Sequence, residues 1–243
     1  MANIYAIERL ISRFKRRCIL AVKGDRSGVG LFYFKSPNTL ICSSIDELLE
    51  EIFRGGEEIK KLIHEGNLKY EETIEKCIVN FPTNWNGERN LSILLYVLVR
   101  QMNAKVVVET GVANGISTNM IMAALEKNEG KLISFDIDPM SRKSYNGSGK
   151  WEFNLLNKRN PEHQLLKAIQ NLEKIDLWLH DSDHSHWWQT FEYKLAFSKL
   201  KVGGYLVADD VDFSTAWAEF SPNHFSRDMI LFDFKKLVGC ARK

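Results

Sequence analysis

The chain has 243 residues, 44% hydrophobic and 26% charged, the make-up of a soluble globular protein long enough to bury a sizeable core. A net charge of +2 gives no overall field toward nucleic acid or a membrane, and no apolar stretch approaches the length of a bilayer span. Four scattered cysteines (Cys18, Cys42, Cys77, Cys240) without CxxC spacing argue against a disulfide framework or zinc knuckle and for a reducing, cytoplasmic setting.

Residues 4–19 read as a helix with Leu10, Ile11 and Phe14 on its apolar side; Arg13, Lys15, Arg16 and Arg17 form its solvated face, and no secretory cleavage site follows. A turn-rich break over 24–30 leads to a short strand at 31–34. Ser44 and Glu47, in S-x-x-E spacing, form a capping box ahead of Leu48, Leu49, Ile52 and Phe53. Gly55 and Gly56 end that helix, and a short one is expected over 60–68. Another helix spans 88–102, with Leu91, Leu94, Leu95, Val97 and Leu98 as its apolar residues. Strand and helix then alternate: strand 104–109, helix 115–127, strands 131–136 and 151–155, helix 161–171, strand 174–180, helix 186–200, strand 205–208. One or two closing strands are expected between 229 and 241. This alternation predicts a parallel sheet with helices on both faces. The expected division is a mainly helical extension or cap over 1–89 and an α/β domain over 90–243.

Two stretches bear the chemistry. Residues 106–117 read VVVETGVANGIS, and residues 133–139 read ISFDIDP. A β-branched run delivers the chain to Glu109, Gly111 and Gly115 bracket a tight turn into a helix, and the next strand ends at Asp136. That layout builds a nucleoside site at the carboxyl edge of the sheet, with Asp136 placed to accept ribose hydroxyls. Ala113 stands where a GxGxxG fingerprint needs its second glycine, which argues against a dinucleotide, and there is no P-loop. The second stretch is IDLWLHDSDHSH over 175–186, followed through a helix by LKVGGYLVADDV over 200–211. Adjacent parallel strands would place Asp181 and Asp209 side by side, and converging carboxylates need protons or a cation, with Mg²⁺ the economical choice. Asp183 and Ser185 are also natural caps for the following helix.

The acid-x-Gly-x-x-x-Gly-x-Ser run resembles motif I of class I S-adenosylmethionine-dependent methyltransferases. The D-x-D-H-S and L-x-x-G-G-x-x-x-x-x-D runs resemble the methyltransferase-24 group and are similar to catechol and caffeoyl-CoA O-methyltransferases. The resemblance covers residues 90–243 and implies a Rossmann-like fold with a mostly parallel seven-stranded sheet, helices on both faces and an α-rich N-terminal extension. It implies a cofactor site for S-adenosylmethionine at Glu109, Gly111, Val112, Ala113, Gly115, Ser117, Asp136, Ile137, Asn154 and Asp181. It further implies Mg²⁺ at Asp181, Asp209 and Asp210, with His184 as general base and Asp183 orienting it. Where the catechol-type enzymes have Asp-Asn, this chain has Asp209-Asp210. The implied activity is O-methylation of a small hydroxylated substrate such as a sugar or catechol-like ring, by a homodimer without nucleic-acid partners or a membrane span. Three alternatives stay open: a metal-independent methyltransferase in which Asp181 meets the methionine amine, an inactive methyltransferase-like binding module, and a different cofactor-dependent reaction on this fold, such as a hydroxylation.

Overall fold

The computed structural model describes residue 34 and residues 36–233 and 236–243. The helix expected over 4–19, and all but the last residue of the strand expected over 31–34, lie outside the described residues. The strands are β1 (Thr39–Cys42), β2 (Val106–Thr110), β3 (Lys131–Asp136), β4 (Lys150–Leu155), β5 (Ile175–His180), β6 (Leu200–Ala208), β7 (Asp228–Asp233) and β8 (Lys236–Arg242). The helices are α1 (Ile45–Phe53), α2 (Glu57–Lys76), α3 (Arg89–Gln101), α4 (Ile116–Asn128), α5 (Pro161–Ile169), α6 (His186–Lys199) and α7 (Ala216–His224). They surround one sheet of order β1-β7-β8-β6-β5-β2-β3-β4, in which only β8 runs antiparallel to its neighbours.

Period-2 alternation divides the apolar residues between two cores. Val107, Leu177, Leu179 and Val207 face α1 to α4, where Leu48, Leu62, Leu94 and Met120 are buried. Val108, Trp178, Leu206 and Ile230 face α5 to α7, packing on Leu165, Tyr193 and Trp217. This is the sheet with helices on both faces that the strand–helix alternation predicted, in the Rossmann-like arrangement that the resemblance implied.

Among the described residues the sheet has eight strands rather than the expected seven. The additional β1 comes from the segment ahead of residue 89 and pairs in parallel with β7. It has four residues, and only Cys42 is fully buried, so no alternation marks it in the sequence. Half of the expected capping box forms: the Ser44 hydroxyl accepts the Glu47 amide at 3.2 Å, while the Glu47 carboxylate reaches one residue further back and accepts the Ser43 amide at 2.7 Å. The helix expected over 60–68 is the 20-residue α2, whose apolar stripe fades past Leu68 while Glu72 bonds Lys69 and Lys76 at 3.0 and 2.7 Å. The tail forms two strands, preceded by α7, which the sequence reading lacked because Pro222 sits inside it. β6 starts at Leu200 rather than 205; Gly203, at φ +82°, accommodates the register shift against β5.

Register fixes the site. Thr110 pairs with Phe135 and His180, and His180 pairs with Ala208. The next residues, Gly111, Asp136, Asp181 and Asp209, therefore emerge abreast at the carboxyl edge. The backbone locks them there: the Gly111 amide donates to the Phe135 carbonyl at 2.8 Å, Asp181 to Thr110 at 2.8 Å, and Asp209 to His180 at 2.9 Å.

Candidate active site

The glycine turn is built by acids on either side. Glu109 is fully buried and accepts the hydroxyls of Ser117 (2.6 Å), Ser134 (2.7 Å) and Thr118 (2.8 Å), tying β2 to α4 and β3. Burial pushes its carboxyl up to about 7 against the pull of those hydroxyls. Asp136 accepts the Val112 and Ala113 amides at 2.9 and 3.2 Å, the Ser141 hydroxyl at 2.9 Å and the Asp138 amide at 2.9 Å. A carboxylate has about four acceptor positions, so Asp136 is fully used in holding the loop.

Two glycines make the turn possible. Gly111 has φ +85°, and a Cβ there would lie 1.8 Å from the Asp181 carbonyl oxygen. Gly115 has φ +75° and begins α4; a Cβ there would lie 2.5 Å from Ser144 Cβ. Asn114 ties the turn to the preceding segment, accepting the Asn80 and Phe81 amides and donating to Asn86 Oδ1. Beyond Asp136, Ile137 is 46% exposed, and Leu155 at the end of β4 is 51% exposed. These two expose apolar surface on either side of the acid. Asn154, expected beside them, donates to the Glu152 carbonyl of its own strand at 3.4 Å.

Asp181, His184 and Asp209 form the second constellation, each with a ligand-type atom within 4.8 Å of the others. His184 Nε2 lies 3.7 Å from Asp181, and its Nδ1 lies 3.7 Å from Asp210. Burial holds the imidazole down at about 4, so it is neutral at physiological pH. Asp181 is pushed well up by burial and then by the Asp209 charge. Asp209 Oδ1 and His184 Nε2 are buried without a hydrogen-bond partner. Orphaned acceptors among clustered acids fit a cation, since each costs free energy if left unpaired. Asp183 is exposed and accepts the Ser185 amide at 2.8 Å, while the Ser185 hydroxyl accepts the Trp188 amide, so both shape the start of α6.

Two neighbours, Lys236 and Glu192, were missed in the sequence. Lys236, first residue of β8, donates to Asp209 Oδ2 at 2.7 Å and lies 3.7 Å from Asp210. Burial opposes its charge, but the carboxylates of Asp209, Asp210 and Asp181 outweigh that and push its ammonium above the usual lysine range. Glu192, fully buried on α6, pairs with His180 Nδ1 and accepts the Thr110 hydroxyl at 2.9 Å, clamping the ends of β2 and β5. His180 is therefore a buried, paired histidine whose ring stands edge-on to His184 at 5.6 Å. Glu192 left a trace in the sequence, a lone acid between Trp188 and Ala196 on the buried side of a helix; Lys236 left none, because its partners lie two strands away in the chain.

Residues 108–211 match the family model Methyltransf_24, described as a methyltransferase domain. Comparison with curated proteins gives no match. Among solved structures, the O-methyltransferase TomG from Streptomyces achromogenes, involved in tomaymycin synthesis and in complex with SAM, is 12% identical, with 83% of this chain and 96% of that one covered and a TM-score of 0.52. The SAH-bound methyltransferase PaMTH1 from Podospora anserina is 13% identical, with 82% and 96% covered and a TM-score of 0.50. The O-methyltransferase from Bacillus cereus in complex with SAH is 12% identical, with 83% and 98% covered and a TM-score of 0.50. At these identities the likeness is one of fold. Taken with the match over 108–211, which spans less than half of the chain, it shows a methyltransferase-like fold carrying a segment similar to a methyltransferase domain.

Proposed function

We propose that the chain transfers a methyl group to a hydroxyl of a small substrate at the edge formed by Gly111, Asp136, Asp181 and Asp209, assisted by a divalent cation. The observation behind this reading is the alignment of the four strand ends, with Asp209 Oδ1 and His184 Nε2 buried and unpartnered beside them.

S-adenosylmethionine supplies an activated methyl group, and the protein's task is to position the reactants. The glycine turn gives its backbone to the cofactor, while Ile137 and Leu155 offer apolar surface for a flat base. Asp136 would take the ribose hydroxyls by exchanging the Ser141 hydroxyl for them. Asp181 and Asp209, with Asp210 alongside, would hold the cation, which would supply a lowered pKa to a coordinated hydroxyl. His184, neutral at physiological pH, would take the proton that the hydroxyl releases.

Calorimetric titration with S-adenosylhomocysteine tests the cofactor site. Binding is expected in the native protein and weakened at least tenfold in D136A, and no binding to the native protein would sink the reading. Methyl transfer to a catechol or sugar panel, with and without EDTA, tests the cation; turnover indifferent to chelation would remove the metal.

A further inference from the structure

We propose that Lys236 is a tethered cation that competes with a divalent ion for Asp209 and Asp210. It holds the acidic cluster together when no ion is bound and weakens the site's affinity when one arrives. The inference rests on the proposed cation site and adds a residue from outside the matched segment.

The geometry is specific. The Lys236 ammonium donates to Asp209 Oδ2 at 2.7 Å and lies 3.7 Å from Asp210 Oδ2, two of the three carboxylates expected to hold an ion. Its side chain is 12% exposed and that of Asp209 is 0% exposed, so little water screens them. Asp209 divides its two oxygens: Oδ2 takes the lysine, and Oδ1 is buried without a partner. An ion on Oδ1 would therefore share a carboxylate with an ammonium, and two cations so close repel one another. Lys236 is also the first residue of β8, paired with Asp233 at the end of the β7 ladder, where a long side chain can withdraw without breaking the strand pairing.

Among the described residues the cluster comprises Asp181, Asp209 and Asp210 against one lysine, with His184 between Asp181 and Asp210. Removing the ammonium leaves the same oxygens with one positive charge fewer. That change favours a divalent ion, provided the carboxylates keep their places.

The test is Mn²⁺ titration of the full chain at neutral pH, read by electron paramagnetic resonance, for the native protein, K236M, K236Q and K236R. S-adenosylhomocysteine calorimetry runs in parallel. The neutral variants are expected to bind Mn²⁺ at least tenfold more tightly, and K236R to stay within threefold of the native protein. K236Q keeps a polar group against Asp209 and serves if K236M fails to fold. Unchanged or weaker Mn²⁺ binding in a folded neutral variant overturns the proposal, as does absence of Mn²⁺ binding from all four proteins. Cofactor binding measured on the same samples shows separately whether the methyltransferase reading survives.

Discussion

Gly111 shows how little freedom the cofactor turn has. Its φ of +85° lies in the left-handed region, which costs an L-residue about 1–2 kcal/mol, and a Cβ would lie 1.8 Å from the Asp181 carbonyl oxygen. Backbone cannot yield as a flexible side chain can, so overpacking adds about 1–3 kcal/mol more. G111A is therefore expected to lower stability by roughly 3 kcal/mol, the combination of those two costs. It should also abolish S-adenosylhomocysteine binding, because β2 and β5 must part to admit the methyl group. Gly56 supplies the comparison: its φ is +112°, but nothing lies within 4 Å of a Cβ there. G56A should thus lose stability through backbone strain alone and keep cofactor binding. Equal loss of binding in both variants, by calorimetry, would contradict the argument.

The junction of β2, α4 and β3 turns on Glu109, which one reads in the sequence as the acid of the glycine motif and in the structure as a buried tie between three elements. Its carboxyl is raised by burial from 4.5 to about 7. The native state therefore holds a proton there that the unfolded chain releases. The stabilising contribution is complete below about pH 4.5 and is lost as the pH rises through about 7. E109Q removes this titration, so its urea midpoint should fall less than the native one between pH 5 and 8. Asp233, raised in the same direction to about 7, titrates in both proteins and leaves the difference between the curves intact. Parallel curves would refute the assignment. Strongly periodic elements of this kind could be read in advance: β2, α4, β3 and β5 fall within two residues of the sequence expectation. Glycine and acid spacing likewise located Asp136, Asp181 and Asp209. Edge strand β1, the Pro222-bearing α7 and the ion pair to Lys236 could not be read, because nothing local in the chain encodes them. β1 exists by pairing with β7, and Lys236 meets Asp209 only once β8 inserts beside β6.

Helices α1 and α2, ahead of residue 89, share a core with the rest of the described fold. Leu48 and Leu49 on α1 are fully buried in the cluster that also holds Leu94, Val207 and Leu231. Trp178 and Trp217 lie fully buried on the opposite face of the same sheet. L48A, which removes a fully buried leucine side chain, should cost about 2–5 kcal/mol. That loss should appear in the tryptophan fluorescence transition as well as in the circular dichroism. A fluorescence midpoint unmoved by L48A would show that α1 unfolds by itself. The sheet order has a further consequence for synthesis. β8 is the last of the described strands, yet it lies between β6 and β7 and carries the ammonium that meets Asp209. Without β8, no strand pairing links β7 and β1 to β6, and Asp209 lacks its lysine. Closure of the described sheet therefore waits on residues 236–242, and the acidic strand ends gain their paired cation only after every other described strand has been synthesised.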